Sequence, residues 1–189
     1  MKKANIFLLS IFSLALIGCA EKITNSDLNK AKSNLADDRL DEYLKKYDIK
    51  GSDGANQVYY HKDEQFDINS ELQSFASICS QYFDVAEDNI EKYEISYGRY
   101  RYFVKDDSIV DNSAFKQCLE GKLSKTELSF NNLQALSNSK EVKEYKEKYP
   151  YIAKLIEDAK SDGKITILEA MNIYLAIYQQ KEKDLFQQI

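Results

Sequence analysis

Leu72, Phe75, Ala76, Cys79, Tyr82, Phe83, Ala86 and Ile90 follow one another at steps of three and four residues. That spacing puts them on one face of an α-helix and predicts an apolar stripe against a core, with Asn69 or Ser70 capping the start. Leu35, Leu40, Tyr43, Leu44 and Tyr47 share a face in the same way, ahead of the glycine-bearing stretch that begins at 49. Further on, Phe115, Cys118 and Leu119 predict a short helix ending near Gly121, and Ser124 to Glu127 reads as a capping box before Leu128, Leu133 and Leu136. Ser139 starts a further helix with Val142 and Tyr145. Pro150 suits the first turn of a helix carrying Ile152, Leu155, Ile156 and Ala159. The last helix begins near Thr166 and carries Ile167, Met171, Tyr174, Leu175 and Tyr178. Only about 93–104 alternates like a strand, in two phases around Gly98. The expected fold is mainly α: one helical domain with a short aromatic β-like segment.

The start of the chain has a different character. Lys2 and Lys3 precede a nearly unbroken apolar run from Ile6 to Ile17, which ends in Leu16-Ile17-Gly18-Cys19. The run is shorter than the ~20 apolar residues that cross a bilayer. A basic start, a short apolar centre and small residues before a cut mark a secretory signal peptide. The four residues resemble the lipobox of bacterial lipoproteins. In that family the cysteine receives a diacylglyceryl group and, after cleavage just before it, often an acyl chain on its amine. The resemblance implies a signal peptide over 1–18 and lipidation at Cys19; the polar stretch without apolar periodicity that follows reads as a partly helical tether, which gives the lipidated cysteine and tether over 19–34 and the helical domain over 35–189. It also implies a membrane-anchored envelope protein. Ala20 stands where an aspartate tends to retain Gram-negative lipoproteins in the inner membrane, which points to the outer membrane, periplasm-facing or surface-exposed. In a Gram-positive host the anchor would be the cytoplasmic membrane.

Composition narrows the partners. The formal charge is −5, and loss of Lys2 and Lys3 with the signal peptide makes it −7. An acidic envelope protein is a poor nucleic-acid binder, and its net charge gives it no attraction to anionic lipid. With Cys19 taken by lipid, Cys79 and Cys118 remain. In an oxidising compartment an even pair reads as one disulfide, the alternative being two buried thiols. Two thiols and a distant histidine lack zinc-site spacing.

Three further stretches carry candidate chemistry. Asp158 to Glu169 resembles the EF-hand calcium loop, with Gly163 at its sixth position and Ile165 at its eighth. The resemblance implies Asp158, Asp162, Lys164, Thr166 and Glu169 as the ligand set, with Ca2+ as the only cofactor to consider. Lys160 departs from the pattern, placing an ammonium where the third position needs an oxygen, and no second such loop accompanies it. A turn at Asp162-Gly163 followed by a Thr166–Glu169 capping box explains the same residues without an ion, and is the favoured reading. His61 is the lone histidine. No nucleophile is placed beside it, and no pair among the many acids, such as Asp37-Asp38 or Asp106-Asp107, identifies a hydrolase. Tyr97, Arg99, Tyr100, Arg101 and Tyr102 form the aromatic and basic peak, read either as a partner surface or as core packing. The expected function is a non-enzymatic interaction or accessory module at the membrane, facing an envelope protein or cell-wall polymer. A calcium-dependent binder and a cell-wall hydrolase are the alternatives.

Overall fold

A computed structural model of the protein describes residues 22–47 and 66–187. Cys19, the rest of the lipobox and His61 lie outside the described residues. Among those residues there are seven α-helices and one two-stranded antiparallel sheet, a mainly α fold. The elements are α1 (Asn25–Leu44), α2 (Asn69–Cys79), β1 (Ile90–Ser96), β2 (Arg99–Val104), α3 (Ser113–Leu123), α4 (Phe130–Asn138), α5 (Lys140–Lys148), α6 (Pro150–Ala159) and α7 (Ile167–Phe186).

Helix α1 begins ten residues before the expected domain start. Thr24 forms a capping box with Asp27: the Thr24 hydroxyl oxygen accepts from the Asp27 amide, and the Asp27 carboxylate accepts from the Thr24 amide. This cap uses a local signal that periodicity misses, because only Ala31 among residues 25–34 is buried. The tether expected over 19–34 is thus mostly helix. At its other end α1 tightens into a 3-10 turn over Lys45–Tyr47, and Tyr47 is buried.

The stripe beginning at Leu72 is helical only as far as Cys79. A 3-10 turn follows over Ser80–Tyr82. The chain then extends, so that Phe83 and Val85 enter the core while Tyr82 faces solvent, and Ile90 opens β1. Neither Asn69 nor Ser70 caps α2: the Asp67 carboxylate accepts from the Asn69 amide instead. Cys79 is bonded to Cys118 of α3, with Cα atoms 5.8 Å apart. Beside the bond, the Phe83 and Phe115 rings stack with centroids 4.8 Å apart. The junction of α2 and α3 is therefore cross-linked and packed at one point.

Helix α7 packs against α3, α5 and α6. Ile167, Ala170, Met171, Ile173, Tyr174 and Ile177 are buried along it, and Phe66 packs on the Tyr174 ring. Ser139 caps α5 by accepting from the Val142 amide, and Pro150 sits in the first turn of α6. The capping box expected at Ser124–Glu127 does not form. Ser124 ends α3, and α4 is capped by Ser129. Residues 126–128 are used instead for pairing with the loop before α7.

Candidate functional site

Strands β1 and β2 form a hairpin closed by a two-residue turn, Tyr97-Gly98, between the paired residues Ser96 and Arg99. Both turn residues have positive φ, 37° for Tyr97 and 77° for Gly98. This is the sense of turn whose twist matches the flanking strands. Gly98 adopts it freely. Tyr97 carries a side chain in a region that costs a non-glycine residue on the order of 1 kcal/mol. The Gly98 amide donates to the Glu94 carboxylate at 2.9 Å.

The hairpin's two faces differ. Ile90, Tyr102 and Val104 share the face that rests on α1. The Tyr102 carbonyl accepts from the Asn34 side-chain amide at 2.8 Å, and its ring lies under the Lys30 ammonium. Its hydroxyl hydrogen-bonds Asp27. The hydrogen bond from the Thr24 hydroxyl, with those from Tyr102 and Lys30, pulls the Asp27 carboxyl down to about 2. On the outer face the Tyr93 and Phe103 rings meet edge to face, the Arg101 guanidinium lies over Phe103, and the Tyr93 hydroxyl donates to Glu91. Tyr93, Ile95 and Tyr97 are 54%, 63% and 105% exposed.

Of the five residues read as a partner surface, Tyr97, Arg99, Tyr100 and Arg101 are exposed and cluster at the free end of this hairpin. Tyr102 is not part of that surface: it is 8% exposed and holds the hairpin to α1. Tyr93 and Ile95 join the exposed group. Sequence reasoning passed over them because the first strand's phase is read correctly only once the turn at 97–98 is fixed.

The 158–169 loop is built by its caps. Asp158 lies in the last turn of α6, and Lys160 ends that helix. Gly163 has φ of 84°, and the Asp162 carboxylate accepts from the Lys164 amide at 3.0 Å. Thr166 and Glu169 form the expected capping box, in which one Glu169 oxygen accepts from both the amide and the hydroxyl of Thr166. The Lys164 ammonium pairs with Glu127. Among the described residues no three acids, histidines or cysteines gather as a metal would need. The Asp162 and Glu169 carboxylates are taken up by the amides and the hydroxyl of the loop itself.

The loop does have a partner that the sequence hid. The Leu128 amide donates to the Ile165 carbonyl and the Ile167 amide to the Thr126 carbonyl, both at 2.9 Å. One antiparallel bridge thereby joins the α3–α4 and α6–α7 connections. The α3–α4 connection is only six residues, Ser124 to Ser129, with Glu127 as its single acid. It supplies a structural clasp rather than a second ligand loop.

The paired acids take supporting roles. Arg39, 8% exposed, donates to the Asp107 carbonyl and carboxylate, to Glu42 and to the Asn112 side chain. Burial, then the acids around them, push the carboxyls of Asp37 and Asp38 up. The Asp106 carboxylate accepts from the amide and hydroxyl of Ser108. A cleft of about 530 Å³ beside the disulfide is lined by Tyr82, Cys118, Lys122 and Lys125 among others. Another of about 410 Å³ holds Asp84 and Asp88. No family model matches the chain, and neither a curated protein nor a solved structure is significantly similar to it.

Proposed function

We propose that this is a lipid-anchored bacterial envelope protein that acts as a non-enzymatic interaction module, with the free end of the β1–β2 hairpin as its contact surface. The observation that carries the reading is the exposure of Tyr93 and Ile95 on the outer face of the hairpin, of Tyr97 at its turn, and of Tyr100 near the turn on the face that Tyr102 anchors to α1 further along. Aromatic side chains left in solvent at one place mark surfaces that bind, since burying them elsewhere would be favourable. The anchor is Cys19, in a lipobox-like sequence that ends five residues before the cap of α1. The disulfide suits the oxidising side of a bacterial inner membrane. Asp107 is committed to Arg39 and Asp106 to the turn at Ser108, which leaves neither as an evident hydrolytic acid.

The test combines radiolabelled palmitate with fractionation of cells carrying the full chain or its Cys19→Ser variant. Label and membrane association in the full chain, both lost in the variant, are expected. Label retained in Cys19→Ser contradicts the anchor. For the contact surface, a photo-crosslinking residue at position 97 is expected to give adducts in intact cells and one at position 146, on exposed α5, to give none. Equal patterns at both positions contradict the assignment of the hairpin.

A further inference from the structure

We infer that the ligand of the hairpin end is the phospholipid headgroup surface of the membrane that holds Cys19, an inference that rests on the lipid anchor proposed above. Three observations lead there. The first is reach. Four residues stand between Cys19 and Thr24, and the five chain steps span at most about 18 Å. The start of α1 is thus held close to the bilayer.

The second is direction. Tyr102 meets Asp27, Lys30 and Asn34, and Asp107 meets Arg39 further along α1, so β2 runs the same way as the helix. Gly98 lies four residues before Tyr102, about 13 Å along a strand. Asn25 lies nine residues before Asn34, again about 13 Å along a helix. The Tyr97–Gly98 turn therefore stands level with the first turn of α1, at the anchored end of the molecule.

The third is charge. Residues 22–32 and 91–101, at this end, hold Lys22, Lys30, Lys32, Lys92, Arg99 and Arg101 against Asp27, Glu91 and Glu94, with Arg101 also facing Asp37 and Asp38 further along α1. That local balance is +3, in a chain whose formal charge is −5. The net charge conceals a basic end. All three acids there are engaged: Asp27 with Thr24, Glu91 with the Tyr93 hydroxyl and Glu94 with the Gly98 amide.

Tyrosines beside bases are the side chains that settle at the boundary between headgroups and acyl chains, with the ring in the apolar part and the hydroxyl in water. The contact need not be strong in isolation. Tethering at Cys19 raises the effective concentration of the hairpin at the bilayer, so a weak surface affinity suffices to hold it there. Two attachments, lipid and hairpin, then fix the orientation of the domain on the membrane.

The experiment uses the full mature lipoprotein in vesicles of phosphatidylethanolamine and phosphatidylglycerol. Cys79 and Cys118 are bonded, so Ser96→Cys introduces a thiol for an environment-sensitive fluorophore beside an intact Tyr97. Lys45→Cys, at the opposite end of α1, is the control. Intact mass verifies the acyl groups. Lipids carrying a headgroup-level quencher are expected to quench the label at 96 several-fold more than that at 45. The difference should shrink in the Ile95→Asp/Tyr97→Asp variant and in vesicles lacking anionic lipid, while circular dichroism stays unchanged. Equal, weak quenching at both positions in an acylated protein overturns the inference and leaves the anchor standing. A label at 96 that becomes shielded from aqueous iodide only when envelope protein is added overturns it in favour of a protein ligand. A mass without acyl groups overturns both.

Discussion

The Asn34 side-chain amide donates to the Tyr102 carbonyl at 2.8 Å and so ties strand β2 to helix α1 across 68 residues of sequence. Around this bond Tyr102 is covered and Tyr97, in the turn, is left bare, although only four residues stand between them. The hairpin is thereby a rigid outrigger of α1, with a packed base and an open tip.

That division predicts opposite responses to mutation. Tyr102→Ala should cost about 3 kcal/mol, as expected for removing a buried aromatic ring. Asn34→Ala should cost about 1 kcal/mol through one lost hydrogen bond. Tyr97→Asn should stabilise the fold by about 0.5–1 kcal/mol, because asparagine tolerates the left-handed region far better. Denaturant midpoints for the three variants check this, and a destabilised Tyr97→Asn would contradict the described turn.

The Cys79–Cys118 bond closes a loop with a sequence separation of 39. The chain-entropy relation gives about 4 kcal/mol for a loop of that length. The Cys79→Ala/Cys118→Ala variant should lose a comparable amount. Non-reducing mass spectrometry after unfolding and alkylation should find neither thiol modified in the parent. Two alkylated thiols would contradict the bond.

Stability should fall in acid through Asp184. Its carboxylate accepts from the Tyr149 hydroxyl at 2.5 Å, from Lys148 at 2.9 Å and from Gln180 at 2.8 Å, pinning the end of α7 to the segment joining α5 and α6. These hydrogen bonds, that of Tyr149 first, pull the Asp184 carboxyl from 3.8 down to about 2. A folded value below the unfolded one means that the group contributes stability above pH 4 and loses it as pH falls from about 4 to about 2. Thermal midpoints measured between pH 6 and pH 2 should decline less steeply in Asp184→Asn than in the parent over that lower window. Superimposable slopes would contradict the assigned interaction.

For the loop before α7, Thr166→Ala should cost about 1 kcal/mol, equally in chelator and in millimolar calcium. An ion bound to the folded state would instead raise the melting midpoint with its concentration. A calcium-dependent rise abolished by Glu169→Gln would contradict a loop held by its caps alone.

What the sequence revealed follows how local each determinant is. Ser139, Pro150 and the Thr166–Glu169 box act within one turn of the chain, and helices α5, α6 and α7 begin where those residues place them. The Thr24–Asp27 box is equally local, but it precedes a stretch with little burial and leaves no periodic trace. The end of α2 at Cys79 could not be read, because Phe83 falls on the helical spacing yet reaches the core from extended backbone, beside Val85. The same holds for Thr126 to Leu128, whose capping pattern yields to pairing with Ile165 to Ile167, a contact made by tertiary packing. At the hairpin the exposed cluster was visible as composition. Its boundary, with Tyr102 inside and Tyr93 outside, depended on register and on α1.

The most direct test of the whole account is mass spectrometry of the N-terminal peptide from protein extracted from native membranes. The account predicts a peptide beginning at Cys19, with a diacylglyceryl group on its sulfur and residues 1–18 absent. An unmodified Cys19 thiol, or a membrane-extracted chain that still carries residues 1–18, would contradict it.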